Sequence, residues 1–184
     1  MGPDPSRGFI PLRIAILTVS DTRTIKDDRS GDTLVERLTA AGHLLARRKI
    51  VTDDIEVIRG AITAWSADPA VDAIITTGGT GFTGRDVTPE AIEPLFEKRM
   101  EGFSTVFHRI SYEKIGTSTI QSRATAGTVG QTFVFVLPGS PGACRDAWDG
   151  ILAAQLDYRH RPCNFVEILP RLDEHLRRGA KQGA

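Results

Sequence analysis

The segment 73–91 restricts the fold more than any other, because an apolar strand, a glycine-rich turn and a helix start follow one another directly. Alanine, isoleucine and threonine make its first five residues a β-prone run. Thr88 is a suitable helix N-cap, and Pro89 suits the first helical position. Four glycines in the turn allow positive φ and a close ligand approach: Gly78, Gly79, Gly81 and Gly84. The segment predicts a βα unit with an anion site, most often for phosphate, at its turn.

Strand and helix patterns alternate along the rest of the chain. Strands are predicted at residues 13–20, 43–51, 72–77 and 133–137, and the first of them is a near-continuous apolar run, as expected when both faces of a sheet are covered. We therefore predict an α/β fold with one domain, in which helices cover both faces of a mostly parallel sheet. This domain is expected to span residues 13–170. Residues 1–12 are expected to be a disordered lead-in, and residues 171–184 a C-terminal tail that frays.

Composition excludes several classes of partner. The chain has 184 residues, with 23 basic and 23 acidic side chains, so no global field favours nucleic acid or a membrane surface. No apolar run reaches membrane-spanning length. Cys144 and Cys163 lie far apart without metal-ligand spacing, which indicates reduced thiols in a cytoplasmic protein.

The glycine turn matches no standard nucleotide motif well. Gly79, Gly81 and Gly84 have the spacing of a dinucleotide fingerprint, but they follow about the third strand instead of the first. Arg85 and Asp86 stand where a triphosphatase loop needs Lys and Ser or Thr. An ordinary tight turn remains an alternative, whereas Arg85 and Asp86 together favour a site that holds phosphate and Mg²⁺.

Four polar segments follow predicted strands and are expected to meet at one rim of the sheet, where ligands bind in such folds. They are residues 20–21, 52–54, 78–86 and 138–142. Asp53 and Asp86 are therefore candidate metal ligands. Two alternatives stay open: Asp53 can cap the following helix, and Asp86 can interact with the dipole of the next helix.

At these residues the chain resembles the molybdenum cofactor biosynthesis proteins of the MoaB/Mog family. The matching segments are 18–21, 28–31, 52–54, 77–91, 101–103, 122–123, 126–127 and 137–140, and the resemblance runs from residue 13 to about 169. The central segment, Thr-Gly-Gly-Thr-Gly-Phe-Thr-Gly-Arg-Asp-Val-Thr-Pro-Glu-Ala, is the most specific. Segments 116–123 and 161–165 look more like the MoaB branch than the Mog branch.

The resemblance implies a molybdopterin-binding fold and transfer of AMP from Mg-ATP to the terminal phosphate of molybdopterin. It implies that Asp53 and Asp86 serve Mg²⁺ and catalysis, with Asp21, Ser30 and Gly31 as weaker candidates. Nucleotide phosphate would be held by Gly78, Gly79, Thr80 and Gly81. Molybdopterin and its phosphate would be held by Ser122, Arg123, Pro138, Gly139 and Ser140. Homotrimers or homohexamers are expected on the same basis.

Each ligand contact has a structural alternative. Residues 122–123 can cap a helix or pair with a partner subunit, and residues 138–141 can be a rigid strand-to-helix turn. At the level of function, the alternative to an adenylyltransferase is a carrier or scaffold that binds molybdopterin without catalysis. A hydride-transferring dinucleotide enzyme is a third, more distant reading. The acidic motif at Arg85 and Asp86 favours the enzyme.

Overall fold

The computed structural model describes residues 2–174 and has an α/β fold. The strands, in chain order, are β1 (Arg13–Val19), β2 (Leu44–Val51), β3 (Ala73–Thr77), β4 (Lys98–Arg99), β5 (Thr125–Val129) and β6 (Thr132–Leu137). The helices are α1 (Arg29–Ala40), α2 (Ile55–Ser66), α3 (Thr88–Ile92), α4 (Glu101–Ile115), α5 (Pro141–Ala147), α6 (Ala153–Gln155) and α7 (Phe165–Ile168). Among residues 2–174, no helix is long and apolar enough to cross a bilayer.

A single sheet organises these elements, with strand order β2-β1-β3-β6-β5-β4. The first four strands of that order run parallel, whereas β5 and β4 run antiparallel to their neighbours. The predicted mostly parallel sheet with helices on both faces is confirmed. The two antiparallel strands are additions that the sequence patterns did not indicate.

Two apolar cores lie on opposite faces of the sheet, because successive side chains of each buried strand point to opposite sides. One face packs Ile14 and Ile16 against Leu34 and Leu38 of α1, together with α4 and α5. The other face packs Ala15, Leu17, Val19, Ile74, Val134 and Val136 against residues of α2 and α3. Helices α1 and α2 therefore cover opposite faces of the sheet.

The terminal segments differ from the simple expectation. Within the lead-in, Leu12 is buried, and Arg7 forms an ion pair with Glu167. Arg161 pairs with Asp4 at 3.0 Å, so this segment packs on the domain without forming a helix or strand. Ion pairs of high sequence separation thus connect residues 2–12 to the domain. Most of the predicted fraying tail, 175–184, lies outside the described residues.

Candidate active site

The carboxyl ends of β1 and β3 form the point where the sheet changes winding direction. The two strands are neighbours, and the chain leaves β1 toward one face through α1 and enters β3 from the other face through α2. Such a switch point opens a crevice in which α/β proteins bind ligands. Val19 and Thr77 end these strands, and Gly78 follows Thr77 directly.

The glycine turn is built at this crevice, and its first two residues need glycine. Gly78 has φ +104° and Gly79 has φ +61°. A methyl group on Gly79 would collide with Thr88 Oγ1 and lie 2.7 Å from Asp53 Oδ1. The missing side chains leave the turn's backbone open to a ligand on the crevice side.

Thr88 closes the glycine turn and does not cap α3, so the N-cap prediction is wrong. Its hydroxyl donates to Gly78 O at 2.9 Å, and its backbone N–H donates to Gly79 O at 2.9 Å. Helix α3 already includes Thr88, and the capping position belongs to Val87, which offers no side-chain hydrogen bond. The hydroxyl is engaged by the turn, which ties the helix start to the end of β3.

Asp53 lies against the turn in a half-buried, strongly acidic environment. Its backbone N–H donates to Asp21 Oδ1 at 3.1 Å. Burial raises the pKa of the Asp53 carboxyl, and the charges of Asp21 and Asp86 raise this pKa further. The capping alternative for Asp53 is wrong, because Asp54 caps α2 by accepting from Val57 N at 2.9 Å. The Asp53 side chain is therefore left for the crevice.

Asp86 is held rigidly on the other side of the turn. Its Oδ2 accepts from Thr83 Oγ1 at 2.6 Å and from Thr83 N at 2.9 Å. These bonds, the hydroxyl first, hold the pKa of the Asp86 carboxyl below its ordinary value. A methyl group on Gly81 would lie 2.8 Å from Asp86 Oδ2. The acidic residue in the first turn of α3 is Glu90, so the dipole alternative for Asp86 is wrong.

Arg85, which the sequence placed beside phosphate, pairs instead with Asp21. The Nη2 to Oδ2 distance is 2.7 Å, and the Arg85 side chain is 79% exposed. An exposed ion pair of this kind contributes little to stability and exchanges easily with a competing anion. Arg85 therefore offsets part of the negative charge that Asp21, Asp53 and Asp86 concentrate at the rim.

The carboxylates fit a magnesium ion that phosphate oxygens help to bind. Within residues 2–174, no group of three or more His, Cys, Asp or Glu side chains could hold a metal. Mg²⁺ is usually bound by one or two carboxylates together with substrate phosphates and water. Burial raises the pKa of Asp53, and the charges of Asp21 and Asp86 raise it further although Arg85 opposes them, so a bound cation would favour the ionised carboxylate. Asp53 and Asp86 therefore suit a cation that arrives with its phosphate ligand.

We expect Asp53→Asn to stabilise the protein at neutral pH in buffer free of divalent cations. A raised carboxyl pKa contributes stability below the unfolded pKa, and this contribution is lost as the pH rises through the folded pKa. At pH 7 the ionised Asp53 therefore costs stability, and the cost fades as the pH falls into the carboxyl range. Urea unfolding midpoints across this pH range measure the effect. Asp54→Asn is the neighbouring control, because Asn caps a helix as well as Asp does; a midpoint for Asp53→Asn no higher than wild type contradicts the expectation.

A cavity of about 210 Å³ borders Gly78, the first residue of the glycine turn. Its lining residues are Thr18, Val19, Ser20, Arg23, Asp28, Arg29, Ser30, Thr77, Gly78, Gly139 and Pro141. Arg23 and Arg29 are exposed and the acidic lining residue Asp28 is buried, so the lining carries a net positive charge. The two arginines were missed by sequence reasoning, since charged residues in a polar loop look like solvated surface. Arg23 lies between the end of β1 and the start of α1, and Arg29 is the first residue of α1; these positions at the rim could have indicated a ligand contact.

The predicted segment 138–140 contributes backbone to this cavity. Gly139 O accepts from Ser30 Oγ at 3.1 Å, which joins the segment to α1. A methyl group on Gly139 would lie 3.1 Å from Gly78 Cα, so the two turns touch. Ser140 caps α5 by accepting from Ala143 N at 3.1 Å, and Thr77 Oγ1 donates to Pro138 O at 2.9 Å. These bonds make residues 138–141 a rigid strand-to-helix turn that also lines the cavity.

Ser122 and Arg123 lie beside the glycine turn and not in this cavity. Arg123 donates to the backbone carbonyls of Thr80 and Asp86, at 2.9 Å and 3.0 Å. Ser122 precedes it at the end of a 3₁₀ turn and accepts from His108 through its carbonyl oxygen, at 2.9 Å. A larger cavity of about 470 Å³ lies at the opposite end of the sheet and contains none of these residues.

Comparisons with known proteins agree with this fold. Residues 15–158 match the family described as a probable molybdopterin binding domain. Molybdenum cofactor biosynthesis protein B of Escherichia coli K12 is 51% identical over 160 residues, covering 87% of this chain and 94% of that protein. The match reaches across the rim segments as well as the core.

Two solved structures extend the comparison to three dimensions. The crystal structure of a molybdenum cofactor biosynthesis protein B has a TM-score of 0.82 and 40% identity, covering 91% of this chain and 99% of that one. The tungsten cofactor synthesizing protein MoaB from Pyrococcus furiosus has a TM-score of 0.67 and 38% identity, covering 78% and 91%. The chain belongs to the MoaB/Mog family of molybdenum cofactor biosynthesis proteins.

Proposed function

We propose that this protein transfers AMP from Mg-ATP to the terminal phosphate of molybdopterin, as the family resemblance implies. A phosphate oxygen of molybdopterin bonds to the α-phosphorus of ATP, and the bond from that phosphorus to the bridging β-oxygen breaks. Adenylyl-molybdopterin and pyrophosphate are the products. The observation that carries this proposal is the placement of Asp53 and Asp86 against a glycine turn at the switch point of the sheet.

The glycine turn would bind the nucleotide phosphates through its backbone. Of the four predicted residues, Gly79 and Thr80 would present their amide groups to the phosphates. The Gly78 N–H donates to Leu137 O at 3.2 Å and the Gly81 N–H supports the Asp86 carboxylate, so Gly78 and Gly81 would shape the turn around the phosphates. Asp53 and Asp86 would hold the magnesium ion, which supplies positive charge to the phosphate oxygens when it is bound. Preorganised donors and charges of this kind stabilise the charge that develops on the phosphates and on leaving pyrophosphate.

Pro138, Gly139 and Ser140 would form the pterin side, beside the cavity that Arg23 and Arg29 line. Ser122 is assigned to the pterin by the resemblance alone, since it lies beside the glycine turn and outside this cavity. The resemblance also assigned Arg123 to the pterin phosphate. Three of its donors are directed at Thr80, Asp86 and Glu90 in this structure.

Copies of the same chain are the proposed protein partners, as trimers or hexamers. Large apolar side chains of α4 and the turn after it are exposed, with Tyr112 at 59%, Ile115 at 52% and Ile120 at 70%. Contiguous exposed apolar surface is typical of protein interfaces. Light scattering on the purified protein tests this, and a monomer at working concentration contradicts it.

The function is tested with purified protein, molybdopterin and ATP, with and without Mg²⁺. Adenylyl-molybdopterin and pyrophosphate should form in equal amounts, and only with Mg²⁺ and both substrates present. Calorimetry on the same sample measures molybdopterin binding separately. Binding without transfer would instead make the protein a molybdopterin carrier or scaffold, and Asp53 and Asp86 would lose their catalytic role.

A further inference from the structure

Arg123 makes an unusually complete set of contacts with the loop that follows the glycine turn. Its Nε donates to Thr80 O at 2.9 Å, and its Nη2 donates to Asp86 O at 3.0 Å. Its Nη1 pairs with the carboxylate of Glu90. The guanidinium also lies over the Phe82 ring, 5.3 Å from the ring centre. One side chain therefore holds both ends of the loop and its exposed aromatic residue.

The loop between these two carbonyls has few other constraints. Residues 82–85 are all exposed, so no buried apolar contact fixes them. The bonds from Thr83 to Asp86 are internal to the turn, and the loop's further link to the domain is the exposed ion pair between Arg85 and Asp21, which contributes little to stability. The Arg123 side chain is only 23% exposed, so its hydrogen bonds are shielded from water. A planar guanidinium can bridge two acceptors in fixed geometry, which the point charge of a lysine cannot do.

The backbone next to Arg123 is also held in place, through the residue that precedes it. The carbonyl oxygen of the preceding residue, Ser122, lies 2.9 Å from His108 Nε2. His108 belongs to helix α4, and with the proton on Nε2 its other ring nitrogen, Nδ1, can accept from Ser104 Oγ at 3.3 Å. The contacts of Arg123 with Thr80, Asp86 and Glu90, called the clamp below, are thus connected to α4, a 15-residue helix that packs on the core.

We propose that Arg123 is a positioning residue for AMP transfer: it fixes the Thr80–Asp86 loop, and through it the Asp86 carboxylate, without binding the pterin phosphate. This inference rests on the proposed function. A displacement of about 1 Å in a reacting group can cost roughly 10²-fold in rate, so loss of the clamp lowers turnover and not pterin affinity.

The first test separates turnover from binding in Arg123→Ala. We expect kcat to fall roughly 10- to 100-fold, while the molybdopterin Kd from calorimetry stays within about twofold of wild type. Arg123→Lys recovers part of the loss, since one carbonyl remains within reach of the ammonium. Arg37→Ala is the matched control, because Arg37 is equally exposed at 23% and pairs with Asp149 on a distant surface. A weaker Kd with unchanged kcat shows a ligand contact and overturns the proposal.

A double-mutant cycle tests whether Arg123 acts through Asp86. In an Asp86→Asn background, Arg123→Ala should change kcat much less than it does in the wild type, since coupled residues are not additive. Equal effects in both backgrounds overturn the proposal.

Hydrogen exchange on the free protein gives a readout that needs no turnover. Backbone amides of residues 80–86 should exchange at least about tenfold faster in Arg123→Ala than in Arg37→Ala or wild type. Unchanged exchange overturns the clamp even if the wild-type protein is active. Absence of AMP transfer in the wild type refutes the proposed function alone, and faster exchange then still supports the clamp.

Discussion

Replacement of Asp86 by Asn should lower kcat for AMP transfer by roughly 10²- to 10³-fold while molybdopterin binding persists. The two side chains have nearly the same shape, but the amide lacks the charge that attracts Mg²⁺. The Thr83 hydroxyl holds the pKa of Asp86 below its ordinary value, so the native side chain carries its negative charge at neutral pH. Its position against Gly81 places the lost charge directly beside the proposed phosphate site.

The chain contains a matched control for this substitution. Asp27 accepts from Thr24 N at 2.6 Å and Thr24 Oγ1 at 2.7 Å, which repeats the turn that Thr83 and Asp86 form. Asp27→Asn therefore removes a carboxylate charge from the same kind of turn, away from the glycine turn, and leaves an amide oxygen that can still accept both hydrogen bonds. Steady-state kinetics with a Mg²⁺ titration should show the large loss in Asp86→Asn only. Equal turnover in the two variants would remove Asp86 from the catalytic set.

The parallel part of the fold was readable from the sequence because burial on both faces demands continuous apolar runs. Strands β1, β3 and β6 are such runs, and every residue in them except Arg13 is buried. Strand β5 was missed since Thr125–Val129 is short, contains Gly127 and pairs antiparallel at the margin of the sheet. Strand β4 has only two exposed basic residues, which no apolar pattern can reveal.

The rim was predicted for a physical reason, whereas the role of each rim residue was not. Parallel strands bring their carboxyl ends together, so Asp53 and Asp86 were expected near the glycine turn, and the structure places both there. Which of Asp53 and Asp54 caps α2 depends on backbone geometry at one residue, and the sequence offered both. Arg123 reaches Thr80 across 43 positions, a contact that local patterns do not specify.

Gly78→Ala should cost about 2–4 kcal/mol of unfolding free energy. Gly78 has φ +104°, a conformation that L side chains rarely adopt. A methyl group there would collide with the carbonyl oxygen of Val19, and its distance to the Val19 carbonyl carbon would be 3.2 Å. The obstacle is backbone at the end of β1, so no side-chain rotation can relieve it.

The same change should also remove function, because relief of the clash must separate the ends of β1 and β3 where the crevice lies. Gly84→Ala is the control from the same loop: it has no positive φ, and a methyl group there would meet nothing within 4 Å. Its unfolding free energy should stay within about 0.5 kcal/mol of wild type. Urea unfolding at constant m-value compares the two variants. Equal stability of Gly78→Ala and Gly84→Ala would show that the close approach of Gly78 to Val19 is not required by the fold, and that the switch point tolerates a wider turn.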